Sequence, residues 1–135
     1  RLWATASSLE HGTGVALDDT GLRREFARAW VDIEGLRYLG FRTLSAQIAG
    51  RTPVAGASMG KLHASQLRQR LADLALRTEG PLAQLAKRSP HVVDRGRWVA
   101  SYFDALGHSI GGGTAEIQRN TIAERVLGLP RSVVD

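Results

Sequence analysis

The 135-residue sequence contains no cysteine. That absence removes disulfide cross-links and thiolate metal sites from consideration. Histidine offers no substitute, because His11, His63, His91 and His108 show no ligand-like spacing, so no metal is expected. Lysine is nearly missing as well: Lys61 and Lys87 stand alone, and the formal charge of +5 rests on arginine. The arginines are scattered among Asp and Glu along helical faces. Nucleic-acid binding leaves a clustered stripe, so these read as solvated surface and no nucleic-acid partner is expected. No apolar run approaches membrane-spanning length, and no segment sustains the period-two alternation of a strand. One domain with a single core, all-α in class, is expected, and a cytoplasmic location is expected for it.

What is present is helical periodicity with clear stops. The opening "RLWATASSLEHGTG" has neither an initiator methionine nor the order of a signal peptide. Leu2, Trp3, Ala6 and Leu9 recur at helical spacing up to Gly12, which reads as the last turns of a longer helix and hence a fragment of a larger protein. After the turn "GTGVALDDTG", Asp19 or Thr20 is placed to cap a long helix. Leu22, Phe26, Trp30, Ile33, Arg37, Gly40, Phe41, Leu44 and Ile48 lie on one stripe of it, apolar except for the arginine. Gly50 and Pro53 end that helix, and another runs from about Gly56 to Gly80 and Pro81, with Met59, Leu62, Leu67, Leu71, Leu74 and Leu76 as its apolar set. Arg68, Arg70 and Asp73 are expected to face out from it. Pro90 and Gly96 punctuate a partly helical connection. A short helix follows with Trp98, Val99, Tyr102, Phe103 and Leu106. Thr114 caps the last helix, Glu116 stands in its first turn against the positive end of the dipole, and Gly128 is its left-handed stop. Helices of this length joined by short connections predict an antiparallel, four-helix-bundle-like domain.

The three glycines of "GGGTAEIQRNTIAERVLGLP", residues 111–130, are the most specific feature. A run of glycine before a helix is either a hinge or a place where backbone must approach something closely. The stretch resembles the C-terminal signature of the flavin-dependent acyl-CoA dehydrogenases, in which Gly-Thr-Ser-Glu-Ile-Gln-Arg opens the final helix. Gly113, Thr114, Glu116, Ile117, Gln118 and Arg119 match it, and Ala115 stands for the serine. The upstream stretches "LRREFARAWVDIEGLRYLGFRTLS" and "ASMGKLHASQLRQRLADLALRTEGP" fall in the order of that family's C-terminal helices.

The resemblance implies that residues 1–135 are the C-terminal helical domain of such an enzyme, with its first helix truncated and its N-terminal helical and middle β domains absent. It implies a parent that removes a hydrogen pair from an acyl-CoA with FAD as acceptor, and that passes electrons to an electron-transfer flavoprotein. It also implies assembly into a homo- or hetero-oligomer through the helical bundle. Gly112 and Gly113 match substrate-side positions, while Thr114, Ala115 and Glu116 match positions that touch FAD. The family's second flavin segment, Gln-Ile-Phe-Gly-Gly, is replaced by Arg77, Thr78, Glu79, Gly80 and Pro81. Only Gly80 keeps that pattern, with Arg77 offering a charged contact for a phosphate.

Many family members carry their catalytic glutamate where this chain has Gly112. Glycine has no group to take a proton, so no catalytic side chain is assigned here and the base is expected upstream. Glu10 lies too far along the surviving tail, Glu116 matches a cofactor contact, and His108 reads as a structural or surface residue. Two alternatives stand beside the enzyme: a non-catalytic partner subunit of a heteromeric dehydrogenase, and a helical oligomerisation module. Trp30, Phe41, Trp98 and Phe103 are expected as core or subunit-interface anchors. Gln118 and Arg119 are expected to make helix-surface hydrogen bonds or ion pairs.

Overall fold

The computed structural model describes residues 1–131. Five α-helices form it: α1 (Leu2–Ser8), α2 (Thr20–Ile48), α3 (Val54–Glu79), α4 (Arg97–Ile110) and α5 (Ala115–Arg125). Helix α3 is the axis of the fold, since α2, α4 and α5 all pack against it. The four longer helices are the expected bundle, and α1 is the expected short tail.

The stops act as their chemistry requires. Of the two candidate caps for α2, Asp19 is the one used, its carboxylate accepting from the Leu22 N–H at 2.8 Å. That bond is the main reason the Asp19 carboxyl sits below the usual carboxylate range. Helix α5 stops at Arg125; the turn that follows carries Gly128 at φ +68°, and Leu129 N–H donates back to the Ala123 carbonyl, which satisfies one of the carbonyls at the helix end. The connection between α3 and α4 holds two 3-10 turns, Gly80–Gln84 and Val93–Gly96.

Two expectations need correction. First, the turn after α1 contains a two-residue antiparallel ladder, Glu10–His11 with Gly14–Val15. A ladder that short has no alternation to detect. Second, the apolar stripe of α2 is a real face but only its beginning is core. Leu22 and Phe26 join Ala6, Ala16 and Leu74 in the buried cluster, with Leu2, Leu17 and Ala29 packed against it. Further along, Trp30, Phe41 and Ile48 are 64%, 53% and 80% exposed, and Ile33 and Leu44 are exposed too. Phe103 is also exposed, so Trp30, Phe41 and Phe103 are not core residues, whereas Trp98 is half-buried.

The reason lies in how α2 meets α3. It uses a neighbouring face: Glu25 pairs with Arg77, Asp32 with Arg70 at 2.9 Å, Leu39 approaches Gly60, and Thr43 approaches Gly56. That contact is short-ranged, since a Cβ on Gly56 would lie 2.3 Å from the Thr43 hydroxyl oxygen. The stripe of larger side chains points elsewhere. On α3, Arg68, Arg70 and Asp73 face out as expected, and Leu67, Ala72, Leu74 and Ala75 are buried.

Candidate functional site

The glycines make a tight corner between α4 and α5. Gly111 ends α4 in extended backbone, then Gly112 and Gly113 adopt φ +72° and +97°. These left-handed values strain any residue with a Cβ. Space reinforces the demand at Gly113, where a Cβ would stand 2.8 Å from Gln118 Nε2 and 3.4 Å from Ile117 Cγ2. Thr114 then caps α5, its hydroxyl accepting from the Ile117 N–H at 3.4 Å. The glycines are therefore a shaped corner, not a loose hinge.

Gln118 latches it. Its side-chain nitrogen donates to the Gly112 carbonyl, six residues back, at 2.9 Å. Sequence reasoning read Gln118 as a helix-surface residue. The missed signal is positional: one helical turn past the cap, a long amide can reach back over the corner it follows. Arg119 does behave as expected, lying 3.5 Å from Glu116. Glu116 sits in the first turn of α5 with its carboxyl held below the usual range by its own backbone N–H and the Thr114 hydroxyl. Ala115 is half-buried at the same helix start.

Main-chain donors at the corner are available. Gly111 N–H bonds to the Gly107 carbonyl, whereas the Gly112 and Gly113 N–H groups donate to no backbone or side-chain acceptor among the described residues. A cleft of about 340 Å³ runs between the corner and α3, lined by Lys61, Ser65, Thr114, Ala115, Glu116 and Gln118 among others. The structure thus brings Gly112, Gly113, Thr114, Ala115 and Glu116 together. No carboxylate stands at Gly112. His108 reaches Asp104 on its own helix, with Nδ1 3.0 Å from the Asp104 carbonyl oxygen and 3.5 Å from a carboxylate oxygen. Glu10 lies on the small hairpin beside α1.

Arg77 and Gly80 lie apart from this group. Arg77 follows Lys61 by 16 positions in α3, about 24 Å along the axis. Gly80 ends α3 at φ +56°. The Arg77 guanidinium is committed to two carboxylates, Glu25 in a bidentate pair and Asp73 at 2.9 Å. Its hydrogen bond holds the Glu25 carboxyl below the usual range. Three of its five N–H donors are thus engaged, and two carboxylates already balance its charge.

Beside Arg77 lies a group that sequence reasoning passed over. Glu79 is only 4% exposed, and its Oε1 has no hydrogen-bond partner among the described residues. Burial, with the charge of Asp94 adding to it, pushes its carboxyl up to about 7. Asp94 is the opposite case. It accepts from Thr5 Oγ1 at 2.7 Å, Trp98 Nε1 at 2.8 Å and Arg1 at 3.3 Å. Those bonds, Thr5 first, hold its carboxyl below the usual range. Both Asp94 and Arg95 have left-handed φ, +46° and +60°.

Comparison with known proteins agrees with this architecture. Residues 1–127 match the family described as acyl-CoA dehydrogenase, C-terminal domain. The chain is 32% identical over 121 residues to acyl-CoA dehydrogenase IpdE1 of Mycolicibacterium smegmatis, covering 90% of this chain and 28% of that protein. It is also 32% identical over 136 residues to acyl-CoA dehydrogenase FadE26 of Mycobacterium tuberculosis, covering 98% and 34%. Among solved structures, a chain of the ChsE4–ChsE5 complex from Mycobacterium tuberculosis superposes with a TM-score of 0.82 at 30% identity, over 97% of this chain and 34% of that one. A chain of the Tcur3481–Tcur3483 steroid ACAD gives 0.78 at 24% identity over 86% and 30%, a likeness of fold alone. The chain spans about a third of the length of these relatives. With the helical order, the capped glycine corner and the family match in agreement, the chain belongs to the acyl-CoA dehydrogenase family, as its C-terminal domain.

Proposed function

We propose that this domain supplies the thioester-binding corner of an FAD-dependent acyl-CoA dehydrogenase whose catalytic base lies elsewhere in the protein. The observation that carries the reading is the pair of unengaged N–H groups at Gly112 and Gly113, in a corner that excludes side chains and is braced by Gln118 and Thr114. A backbone donor in such a corner stabilises negative charge that develops on a thioester oxygen when the α proton leaves. The donor needs no reorganisation, because the corner is already built. Proton removal itself needs a carboxylate of matched pKa, and Gly112 has none. FAD, where bound, would supply the acceptor for the β hydrogen as hydride.

The residues fit that cofactor at one place and not at another. The corner fits one edge of a flavin: its backbone is open to approach, and Thr114, Ala115 and Glu116 line the adjoining cleft. The segment Arg77–Pro81 does not fit a second one, since Arg77 is held by Glu25 and Asp73 and the Glu79 side chain is buried. No step is assigned to that segment.

The exposed stripe of α2 fits a larger parent. The Glu10–Val15 hairpin reverses the chain, and Trp3 of α1 meets Phe26 of α2 edge-on with centroids 5.7 Å apart. A helix continuing upstream from α1 would run along α2 past Trp30 and Ile33 toward Phe41 and Leu44. Those four are among the apolar residues that α2 leaves uncovered. The domain is therefore read as residues 1–135 of a longer chain with its first helix truncated; positions 132–135 lie outside the described residues. No helix among the described residues is long and apolar enough to cross a membrane.

A second reading has its own support. A subunit that lacks both the carboxylate at Gly112 and the second flavin segment suits the non-catalytic role in a heteromeric dehydrogenase. The likeness to a chain of the ChsE4–ChsE5 complex favours a hetero-oligomer. One experiment separates the two. The complete protein is produced alone and together with a second, homologous acyl-CoA dehydrogenase chain, then given an acyl-CoA panel while flavin absorbance is followed. Bleaching by the protein alone supports the first reading, and bleaching only by a co-purified pair supports the second. An FAD-loaded pair that no thioester bleaches rejects both. Turnover by the first reading's enzyme requires an electron-transfer flavoprotein as the onward acceptor.

A further inference from the structure

The only lysine near the glycine corner is placed against it. Lys61 projects from α3, and its ammonium donates to the Ser65 hydroxyl at 2.8 Å and to the His108 carbonyl at 3.0 Å. Ser65 is itself fixed, since its hydroxyl donates to the Lys61 carbonyl at 2.8 Å. The His108 carbonyl is one of the last in α4, where helical acceptors have no partner and the dipole favours a cation. Lys61 therefore ties α3 to the strand of backbone that enters the corner. Its stem also touches the corner, because a Cβ at Gly112 would lie 3.5 Å from Lys61 Cε.

Two features distinguish this lysine from a surface cation. Among the described residues no carboxylate lies within ion-pair distance of it, whereas the neighbouring Arg68 reaches Asp104 at 3.5 Å. It also lines both the cleft beside Thr114 and Glu116 and a second cleft, of about 620 Å³, beside His108 and Gly111. An ammonium has three donors, and two are spent on holding Ser65 and His108.

Resting on the thioester reading above, we propose that Lys61 is a positioning residue for the thioester carbonyl. It fixes the carboxyl end of α4 and the face of Gly112 from the α3 side while Gln118 fixes the Gly112 carbonyl from the α5 side, so that the Gly112 N–H is aimed and held. Its unpartnered positive charge keeps the corner favourable to an anionic oxygen.

The test compares two ligands that differ at one atom. In the complete, FAD-loaded protein, with its partner where one is required, binding of butyryl-, octanoyl- and palmitoyl-CoA is measured against the matching S-alkyl-CoA thioethers, which lack the carbonyl oxygen. The thioester is expected to bind the unaltered protein about tenfold better, the worth of one or two hydrogen bonds. Lys61→Met, which keeps the stem and removes the donors, is expected to reduce that preference to about twofold or less while thioether binding stays unchanged. Lys61→Arg restores most of the preference. Ser65→Ala, a milder change, is expected to give an intermediate value. A full preference in Lys61→Met and Ser65→Ala overturns the proposal, as does equal weakening of both ligands, which marks a merely structural role. Absence of any preference in the unaltered protein overturns the thioester reading itself, and the lysine's role with it.

Discussion

Gln118 reaches back over its own helix start to bind the carbonyl of Gly112 at 2.9 Å. The nitrogen must be the atom facing that carbonyl, because an amide oxygen there would offer two acceptors and no proton. The contact leaves no room at Gly113, where a Cβ would fall 2.8 Å from the same nitrogen. Gly113→Ala is therefore expected to destabilise the domain by about 1–3 kcal/mol, through left-handed strain together with the lost latch. Gln118→Ala alone is expected to cost about 1 kcal/mol. Urea unfolding of both single variants and the double variant checks this. The double variant should lose less than the sum, since the two changes share one contact.

Glu79 makes stability depend on pH. Its folded carboxyl is pushed up to about 7 from the ordinary 4.5, so between those values the folded state holds a proton that the unfolded state has released. Stability therefore falls as pH rises through that window, and the full cost remains above it. Glu79→Gln removes the titration and keeps the shape. Its melting temperature is expected to exceed that of the unaltered protein by a few degrees at pH 8 and to match it near pH 4. Thermal melts across that range test the sign, and a variant less stable at pH 8 would refute it.

Asp94 holds α1 to the start of α4 through Thr5, Trp98 and Arg1. Removing its acceptors strands the half-buried Trp98 indole N–H, leaves the Thr5 hydroxyl only the Arg1 carbonyl at 3.3 Å, and puts alanine at φ +46°. Asp94→Ala is expected to cost about 1–3 kcal/mol. Asn tolerates the left-handed region and retains one acceptor oxygen, so Asp94→Asn should cost less. It should also lower the pH at which Glu79 titrates, because the charge of Asp94 helps to raise it. Denaturant melts at pH 6 and pH 8 read both effects.

Local signals in the sequence carried further than tertiary ones. Asp19 and Thr114 announce helix starts through side-chain bonds to backbone three residues on, and both make them, while Gly128 announces a stop by a left-handed φ that it adopts just beyond α5. The corner was legible because three glycines meet a cap. Its braces were not: Lys61 lies far from Gly112 in sequence, and only the packing of α3 against α4 and α5 brings them together. Glu79 was hidden for the same reason, since a glutamate near a helix end reads as surface until neighbouring turns close over it. The α2 stripe failed differently. Its periodicity was right, but apolar spacing records that a face is to be covered and not which chain covers it.

That ambiguity yields a further prediction, made easy by the lack of cysteine. Ile33→Cys would place a single thiol on the uncovered stripe, between Trp30 and Phe41. In the 135-residue chain alone, a thiol reagent should modify it rapidly, because the stripe is open at this position. In the longer parent, a helix continuing from α1 would pass over the same residue, and the rate is expected to fall at least tenfold, since modification then requires local opening that costs about 1.4 kcal/mol or more. A cysteine replacing Arg51, in the exposed α2–α3 connection, serves as the control and should react equally in both. Equal reactivity of the Ile33 thiol in the two proteins would mean that the upstream chain goes elsewhere, and that the stripe belongs to another subunit or to solvent.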